Sequence, residues 1–193
     1  MKPTFDRKIY SAGLLFRDLG FLIWNAPKMI GISREKKISK AFMEKIMSVT
    51  TAVNGCTYCT CVHAKQSLAS GISEEEIKNM MNLQFQADAE ESELMALLYA
   101  QHYAETNRKA DAKMDQKLIA YYGDKMANDV VLVIRMIFFG NLYGNTWDAV
   151  ISRFKGNPAK GSNILFELIF FLINFWVMFP MMWLMNRENR NQK

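Results

Sequence analysis

The residues best suited to chemistry stand in one short segment, residues 56–63, with the sequence CTYCTCVH. Cys56 and Cys59 form a C-x-x-C pair, and His63 follows the second cysteine by four residues. On a helix these three positions fall at i, i+3 and i+7, so their side chains share one face. Cys61 points away from that face. A thiolate with a second thiol three residues away is the minimum needed to make and break a disulfide.

The place of this pair in its predicted helix favours ionisation of a thiol. Asn54-Gly55 ends the preceding helix, so Cys56 stands in the first turn of the next one. Unpaired backbone N–H groups and the positive end of the helix dipole stabilise a thiolate there. Such settings can lower a cysteine pKa from about 8.5 to roughly 3.5–7.5. By this argument alone, Cys56 is the thiol with the lower pKa.

Other interpretations of the same residues stay open. Free cysteine packs as a small hydrophobe, so the pair could be a buried structural dithiol. Zinc binding is a second alternative, because the segment holds four potential ligands: Cys56, Cys59, Cys61 and His63. Zinc binding by all four would require Cys61 to turn onto the helix face that carries Cys56, Cys59 and His63. The one other histidine, His102, has no partner motif, and we expect it to be structural.

The elements that position this segment are all predicted to be helices, so the fold class is all-α, a compact helical domain. Apolar residues recur at helical spacing, and no strand-like alternation bounded by turn signals occurs. Ser73 and Glu76 have the form of a capping box, and Gly71 is a candidate left-handed helix end. The helices expected after the N-terminal region cover about 38–53, 56–70, 74–81, 91–105, 112–122 and 126–154.

Two packing details follow from the pattern. The helix before the cysteines is predicted to bury one face, formed by Ile38, Phe42, Ile46, Val49 and Val53. Gly140 and Gly144 lie four residues apart on one helix face and would permit close contact between helices.

Composition narrows the class of protein. The 193 residues carry 24 Lys and Arg against 19 Asp and Glu, a net charge of +5, and half of them are hydrophobic. That apolar fraction excludes a disordered chain, and three cysteines are too few for a disulfide-stapled scaffold. The mild basic excess does not indicate nucleic-acid binding. Arg17 and Asp18 interrupt the first apolar stretch, which argues against a signal peptide and for a cytoplasmic location.

We predict three segments: an N-terminal helical extension (1–35), a helical domain (36–155) and an apolar C-terminal helix (162–187). The last contains Ile164–Met185, 22 residues with one formal charge, Glu167. This stretch is long enough to span a bilayer, and the tryptophans and following basic residues suit a membrane interface. Glu167, Asn174 and Pro180 favour a helix buried at an oligomer interface instead. Periodicity does not separate the two interpretations.

The stretch from Glu44 to Ile77 resembles the signature of the alkylhydroperoxidase D-like, carboxymuconolactone decarboxylase superfamily. Glu44 stands twelve residues before Cys56, which is the family's spacing, and Asn-Gly-Cys-x-Tyr-Cys, His63 and Gly-Ile-Ser-Glu-Glu-Glu-Ile follow in order. Residues 93–97 and 144–149 also look like the second half of the family's pattern. The likeness covers about residues 40–153, and so leaves out both ends of the chain.

The resemblance implies an oligomeric all-α dithiol peroxidase or disulfide reductase that needs no bound metal or nucleotide. It implies that Cys59 attacks the peroxide and Cys56 resolves the sulfenic acid, which closes a redox-active Cys56–Cys59 disulfide. Glu44 and His63 would form the proton relay. A lipoyl protein or thioredoxin-like dithiol would return the electrons. Helix electrostatics favours Cys56 over Cys59 as the attacker, so the two arguments disagree.

Three functions are therefore in view. The first is a peroxiredoxin-like oxidoreductase that acts on a small hydroperoxide or disulfide, the second a carboxymuconolactone decarboxylase-type enzyme. The decarboxylase chemistry does not call for a C-x-x-C, so the cysteines argue against it. The third is a non-catalytic, redox-sensing membrane or assembly protein held by residues 164–185. Some members of the family carry a histidine between the two cysteines, where this chain has Tyr58.

Overall fold

The computed structural model describes residues 5–35, 38–87 and 89–191, with side chains in the last helix described through Pro180 and at Trp183. This part of the chain contains no strand, which confirms the all-α prediction. A short 3-10 turn covers Phe85–Ala87. The helices are α1 Ala12–Arg34, α2 Lys40–Asn54, α3 Thr57–Ala69, α4 Glu74–Met81, α5 Glu91–Glu105, α6 Ala112–Phe154 and α7 Ile164–Asn191.

Helix ends lie where local chemistry predicts them. The Ser39 hydroxyl accepts a hydrogen bond from the Phe42 amide at 3.0 Å and starts α2. The Ser73 hydroxyl accepts from the Glu76 amide at 3.2 Å and starts α4, as the capping box predicts. Gly71, between α3 and α4, has a φ of 87°, which confirms the predicted left-handed end.

Helix α2 lies at the centre of the domain, with α3, α4, α5 and α6 packed around it. The predicted face is buried at Ile38, Phe42, Ile46 and Val49, while Val53 is half-buried. Polar residues on the other sides of α2 are buried as well, which the pattern did not predict. Among them Lys45 forms ion pairs with Glu76 of α4 and Glu93 of α5, at 2.9 and 2.8 Å. These bonds tie three helices together at the core.

Helix α6 consists of two helical stretches joined at Gly123, whose φ of 73° and ψ of 161° are not helical. The break confirms the predicted helix end at this glycine. By length and composition α6 is long and apolar enough to cross a membrane, but 56% of its apolar window is buried inside the protein. The core helix of a globular domain has the same properties, so this finding places the chain neither in a membrane nor outside one.

The N-terminal region forms a single long helix, α1, which packs along α6. The loop between α6 and α7 contains the sequence GNPAKG at residues 156–161. Helix α7 then packs on the last turns of α6, where Phe170 and Met178 lie against Trp147 and Val150. The boundaries of the three predicted segments stay a prediction.

Candidate active site

The candidate site begins at the turn between α2 and α3. Gly55 ends α2 with a φ of 67°, a left-handed conformation that side chains rarely adopt. The turn places Cys56 at the N-cap of α3, with extended backbone. Its sulfur accepts a hydrogen bond from the Cys59 amide at 3.3 Å. The first turn of α3 therefore directs a backbone N–H at the Cys56 sulfur, as the sequence predicts.

Cys56 and Cys59 are joined in a disulfide, with Cα atoms 5.3 Å apart. The two residues differ in exposure, since Cys56 is fully buried while Cys59 is half-buried. Cys61 stays free. Among the side chains that the structure describes, no group of three His, Cys, Asp or Glu is placed to hold a metal ion.

Glu44 and His63 come together across the boundary between α2 and α3. The Glu44 Oε2 lies 2.8 Å from Nδ1 of His63, and the two side chains are only 6% and 11% exposed. A carboxylate can only accept a hydrogen bond, so this contact assigns a proton to Nδ1 of His63. His63 stands one helical turn beyond Cys59, on the same face of α3.

Helix α6 closes the site from behind through Gly144. A Cβ at this position would lie 2.8 Å from the Cys56 sulfur, so only glycine lets the helix come this close. The predicted close contact is thus confirmed for Gly144. It is wrong for Gly140, where a Cβ would meet nothing within 4 Å.

A buried amide network fixes α6 to the turn before Cys56. The Asn145 side chain donates to the backbone oxygen of Asn54 at 2.8 Å. Asn54 in turn donates to the Asn141 side-chain oxygen at 3.2 Å, and Asn141 donates to the Thr51 hydroxyl at 2.9 Å. Because these amides are buried and paired, the network sets how α2, α6 and the turn lie relative to one another.

Tyr58, between the two cysteines, is held by charged groups. Its hydroxyl donates to Asp148 of α6 at 2.6 Å, and Asp148 forms an ion pair with Arg7 at 2.8 Å. Arg7 also donates to the backbone oxygen of Gly55 at 3.0 Å, so the segment before α1 covers the turn. Burial, and then the bond to Asp148, raise the pKa of Tyr58 above its usual value. Tyr58 is therefore a neutral donor at physiological pH.

The structure thus brings Glu44, His63, Cys56 and Cys59 into one site and leaves His102 outside it. The His102 Nε2 accepts from the Asp111 amide at 3.3 Å, at the junction of α5 and α6. Sequence reasoning missed Arg7 and assigned no role to Asp148. For Gly144 it predicts a close contact between helices, but not that this contact is with the cysteines. Nothing local connects Arg7 to the segment 144–149.

Comparison with protein families gives one match. Residues 24–102, 79 of the 193, match the model of the carboxymuconolactone decarboxylase family. Searches of curated proteins and of solved structures found no match. The matched segment contains the disulfide, Glu44 and His63, and the observed fold is helical, as is that of the family. Residues 24–102 of this chain are therefore similar to the carboxymuconolactone decarboxylase family, which includes alkylhydroperoxidase D-like proteins.

Proposed function

We propose that this protein is a dithiol peroxidase that reduces hydroperoxides through Cys56 and Cys59. Members of the carboxymuconolactone decarboxylase family are usually enzymes, either decarboxylases or peroxidase-like. The observation that carries the proposal is the buried Glu44–His63 pair, one helical turn from a cysteine whose partner thiol is within disulfide distance. A decarboxylase would have no use for two thiols so placed.

The proposed cycle starts with attack of the Cys59 thiolate on the outer oxygen of a hydroperoxide ROOH. The O–O bond breaks, the alkoxide takes a proton from the His63 imidazolium, and Cys59 becomes a sulfenic acid. The Cys56 thiol then loses its proton and attacks the Cys59 sulfur. Hydroxide leaves as water, and the disulfide forms. Two electrons have passed from the dithiol to the peroxide, and an external dithiol of the lipoyl or thioredoxin type restores both thiols.

Accessibility supports Cys59 as the attacking sulfur. The attacking thiolate must lie in line with the O–O bond that breaks, so the peroxide needs room beside the sulfur. Cys56 is fully buried and offers no such room. Cys59 is half-buried and stands on the same helix face as His63. The bond from the Cys59 amide stabilises charge on the Cys56 sulfur, which suits the second step, where Cys56 is the nucleophile.

Intact mass spectrometry of the full chain tests this cycle. The reduced protein is mixed with cumene hydroperoxide, quenched with an alkylating reagent at set times and compared with three variants. Wild type is expected to lose two alkylation sites within seconds. Cys56→Ser is expected to accumulate a Cys59 sulfenic acid that dimedone traps. Cys59→Ser is expected to be oxidised by the hydroperoxide, and then labelled by dimedone, far more slowly than Cys56→Ser. Cys61→Ser, in the same helix, is the matched control and should behave as wild type.

Two results would reject the proposal. If both cysteines stay free while the hydroperoxide is untouched, the chain is not a peroxidase. If the disulfide forms but no dithiol reduces it, so that peroxide consumption stops after one equivalent, the dithiol is a redox sensor and not a catalyst. Dimedone labelling of Cys56 in Cys59→Ser would reverse the roles of the two sulfurs.

A further inference from the structure

Helix α7 has two faces of different character. Its inner face packs Phe170 and Met178, which are 3% and 4% exposed, against α6. Its outer face carries apolar side chains that are between 49% and 80% exposed. They include Leu165, Leu168, Leu172, Ile173, Trp176 and Val177. An apolar face of this size is not left in water by an ordinary monomer, so something covers it.

The polar residues of the apolar stretch both lie on the inner side of α7. Glu167 is 1% exposed and forms an ion pair with Arg153 of α6. The Asn174 amide donates to the Phe170 backbone oxygen at 2.7 Å, and its oxygen accepts from the Tyr143 hydroxyl. In the sequence these two residues argue against contact with lipid. In the structure they are turned away from the outer face, which is left without a charged or amide side chain between 164 and 180.

Helix α1 exposes apolar side chains as well. Phe16, Ile23 and Trp24 are 71%, 67% and 87% exposed. The first residues of α1 and of α7 line one open cavity of about 460 Å³, so the two helices begin close together. Below, the outer surface means the outer face of α7 together with these three side chains of α1.

The charges beside the outer surface are mainly positive. Lys155 and Lys160 are exposed in the loop before α7. On α1, Arg17 and Lys28 are exposed as well, although each is paired with a carboxylate, Arg17 with Asp18 and Lys28 with Asp129. The sequence after residue 185 adds Arg187, Arg190 and Lys193 against the single acid Glu188. A second copy of the chain would bring like charges together, whereas anionic lipid headgroups would complement them. The exposed tryptophans suit the same boundary between headgroups and acyl chains.

We propose that the outer surface inserts into one leaflet of an anionic lipid bilayer, with α7 lying in the plane of the membrane. The inner face of α7 stays packed on α6, and the basic residues contact the headgroups. This inference does not depend on the peroxidase proposal, since none of the outer-surface side chains takes part in the proposed chemistry.

Vesicle flotation tests it. The full chain is made by cell-free synthesis in the presence of vesicles of phosphatidylcholine alone or of phosphatidylcholine mixed with phosphatidylglycerol, and is then floated through a density gradient. We expect the chain to float with the anionic vesicles and to float at least about 10-fold less with the neutral ones. The double variant Leu172→Glu/Ile173→Glu should lose at least about 10-fold of the floating fraction, since carboxylates would enter the acyl region.

Ile119→Glu is the matched control, because Ile119 is an exposed apolar residue of α6 outside the outer surface. It should float as wild type, and circular dichroism should show the same helix content for all variants. The proposal is overturned if wild type stays at the bottom of both gradients. If it then sediments as a defined oligomer that the double variant dissociates, a second copy covers the outer surface. Flotation that the double variant leaves unchanged overturns the proposal as well.

Discussion

At the scale of single residues, His63 depends on the carboxylate behind it. The buried Glu44 oxygen lies 2.8 Å from Nδ1 and so orients the ring, which stands one helical turn beyond Cys59. Without that negative charge, the imidazolium formed when the thiol ionises would lose its stabilising partner. The Glu44–His63 pair is therefore the part of the site whose charge, and not only its shape, matters.

Glu44→Gln separates charge from shape, because the amide keeps the size of the side chain. We expect disulfide formation with a hydroperoxide to slow by about 10- to 100-fold, as is common when the partner that orients a functional histidine is changed. The rate of disulfide formation is measured by quenching the reaction with an alkylating reagent at set times. Glu93→Gln is the control, since Glu93 is a comparably buried glutamate paired with Lys45 away from the cysteines. It should lower thermal stability and leave the rate unchanged; equal rate losses in both variants would contradict the role of Glu44.

Tyr58 gives a prediction on pH. Burial and the bond to Asp148 raise its pKa, so the folded state keeps the phenol proton after the unfolded chain has lost it. The stabilisation is fully present below about pH 10 and declines as pH rises further, by up to about 1.4 kcal/mol per pH unit. Urea unfolding of the oxidised chain between pH 8 and 11 should show a shallower decline for Tyr58→Phe than for wild type. Parallel curves would mean that Tyr58 is solvated.

At the scale of elements, the approach of α6 to the start of α3 depends on a single missing side chain. Gly144→Ala would put a methyl group 2.8 Å from the Cys56 sulfur. We expect the oxidised chain to lose about 1–3 kcal/mol of its free energy of unfolding, the usual cost of overpacking. Gly140→Ala, one turn earlier and free of contacts, should gain up to about 1 kcal/mol through helix propensity. Urea unfolding measures both, and a neutral Gly144→Ala would show that α6 moves away easily.

The same contrast shows how far the sequence predicts the fold. Glu91–Glu105 matches its predicted bounds, and Ser73 and Gly71 act as predicted, because caps and turns depend on a few neighbouring residues. Gly140 and Gly144 look alike in the sequence and differ only in what packs beside them. That difference is set by tertiary contacts, and so is the burial of α2 on several sides.

The site divides in the same way. The cysteines and His63 are recognisable from local spacing, and Glu44 joins them only through a family pattern. Arg7 lies 141 residues from its partner Asp148, and no periodicity along the chain relates the two. Contacts of this kind follow from how the helices assemble, so they could be found only in the structure.

At the scale of the whole molecule, one part of α6 contacts both the redox site and α7. Its Gly144 lies against the cysteines, while Tyr143 and Trp147 pack with α7 in a cluster that also includes Tyr58. The inner face of α7 therefore lies next to the redox site. A protein bound to a membrane in this way would hold its dithiol close to the headgroup layer, within reach of a hydroperoxide that leaves the bilayer.

This arrangement predicts the topology of the bound protein. If lipid surrounded α7, the helix would have to leave α6 and carry the Glu167 carboxylate into hydrocarbon, which costs about 2.5–3.5 kcal/mol or more. An α7 that lies in the membrane plane keeps the Arg153–Glu167 pair intact and leaves both chain ends on the same side. We therefore expect protease added to intact vesicles to digest epitope tags at both termini while a protein trapped in the lumen survives. Protection of the C-terminal tag, abolished by detergent, would instead show that α7 spans the bilayer.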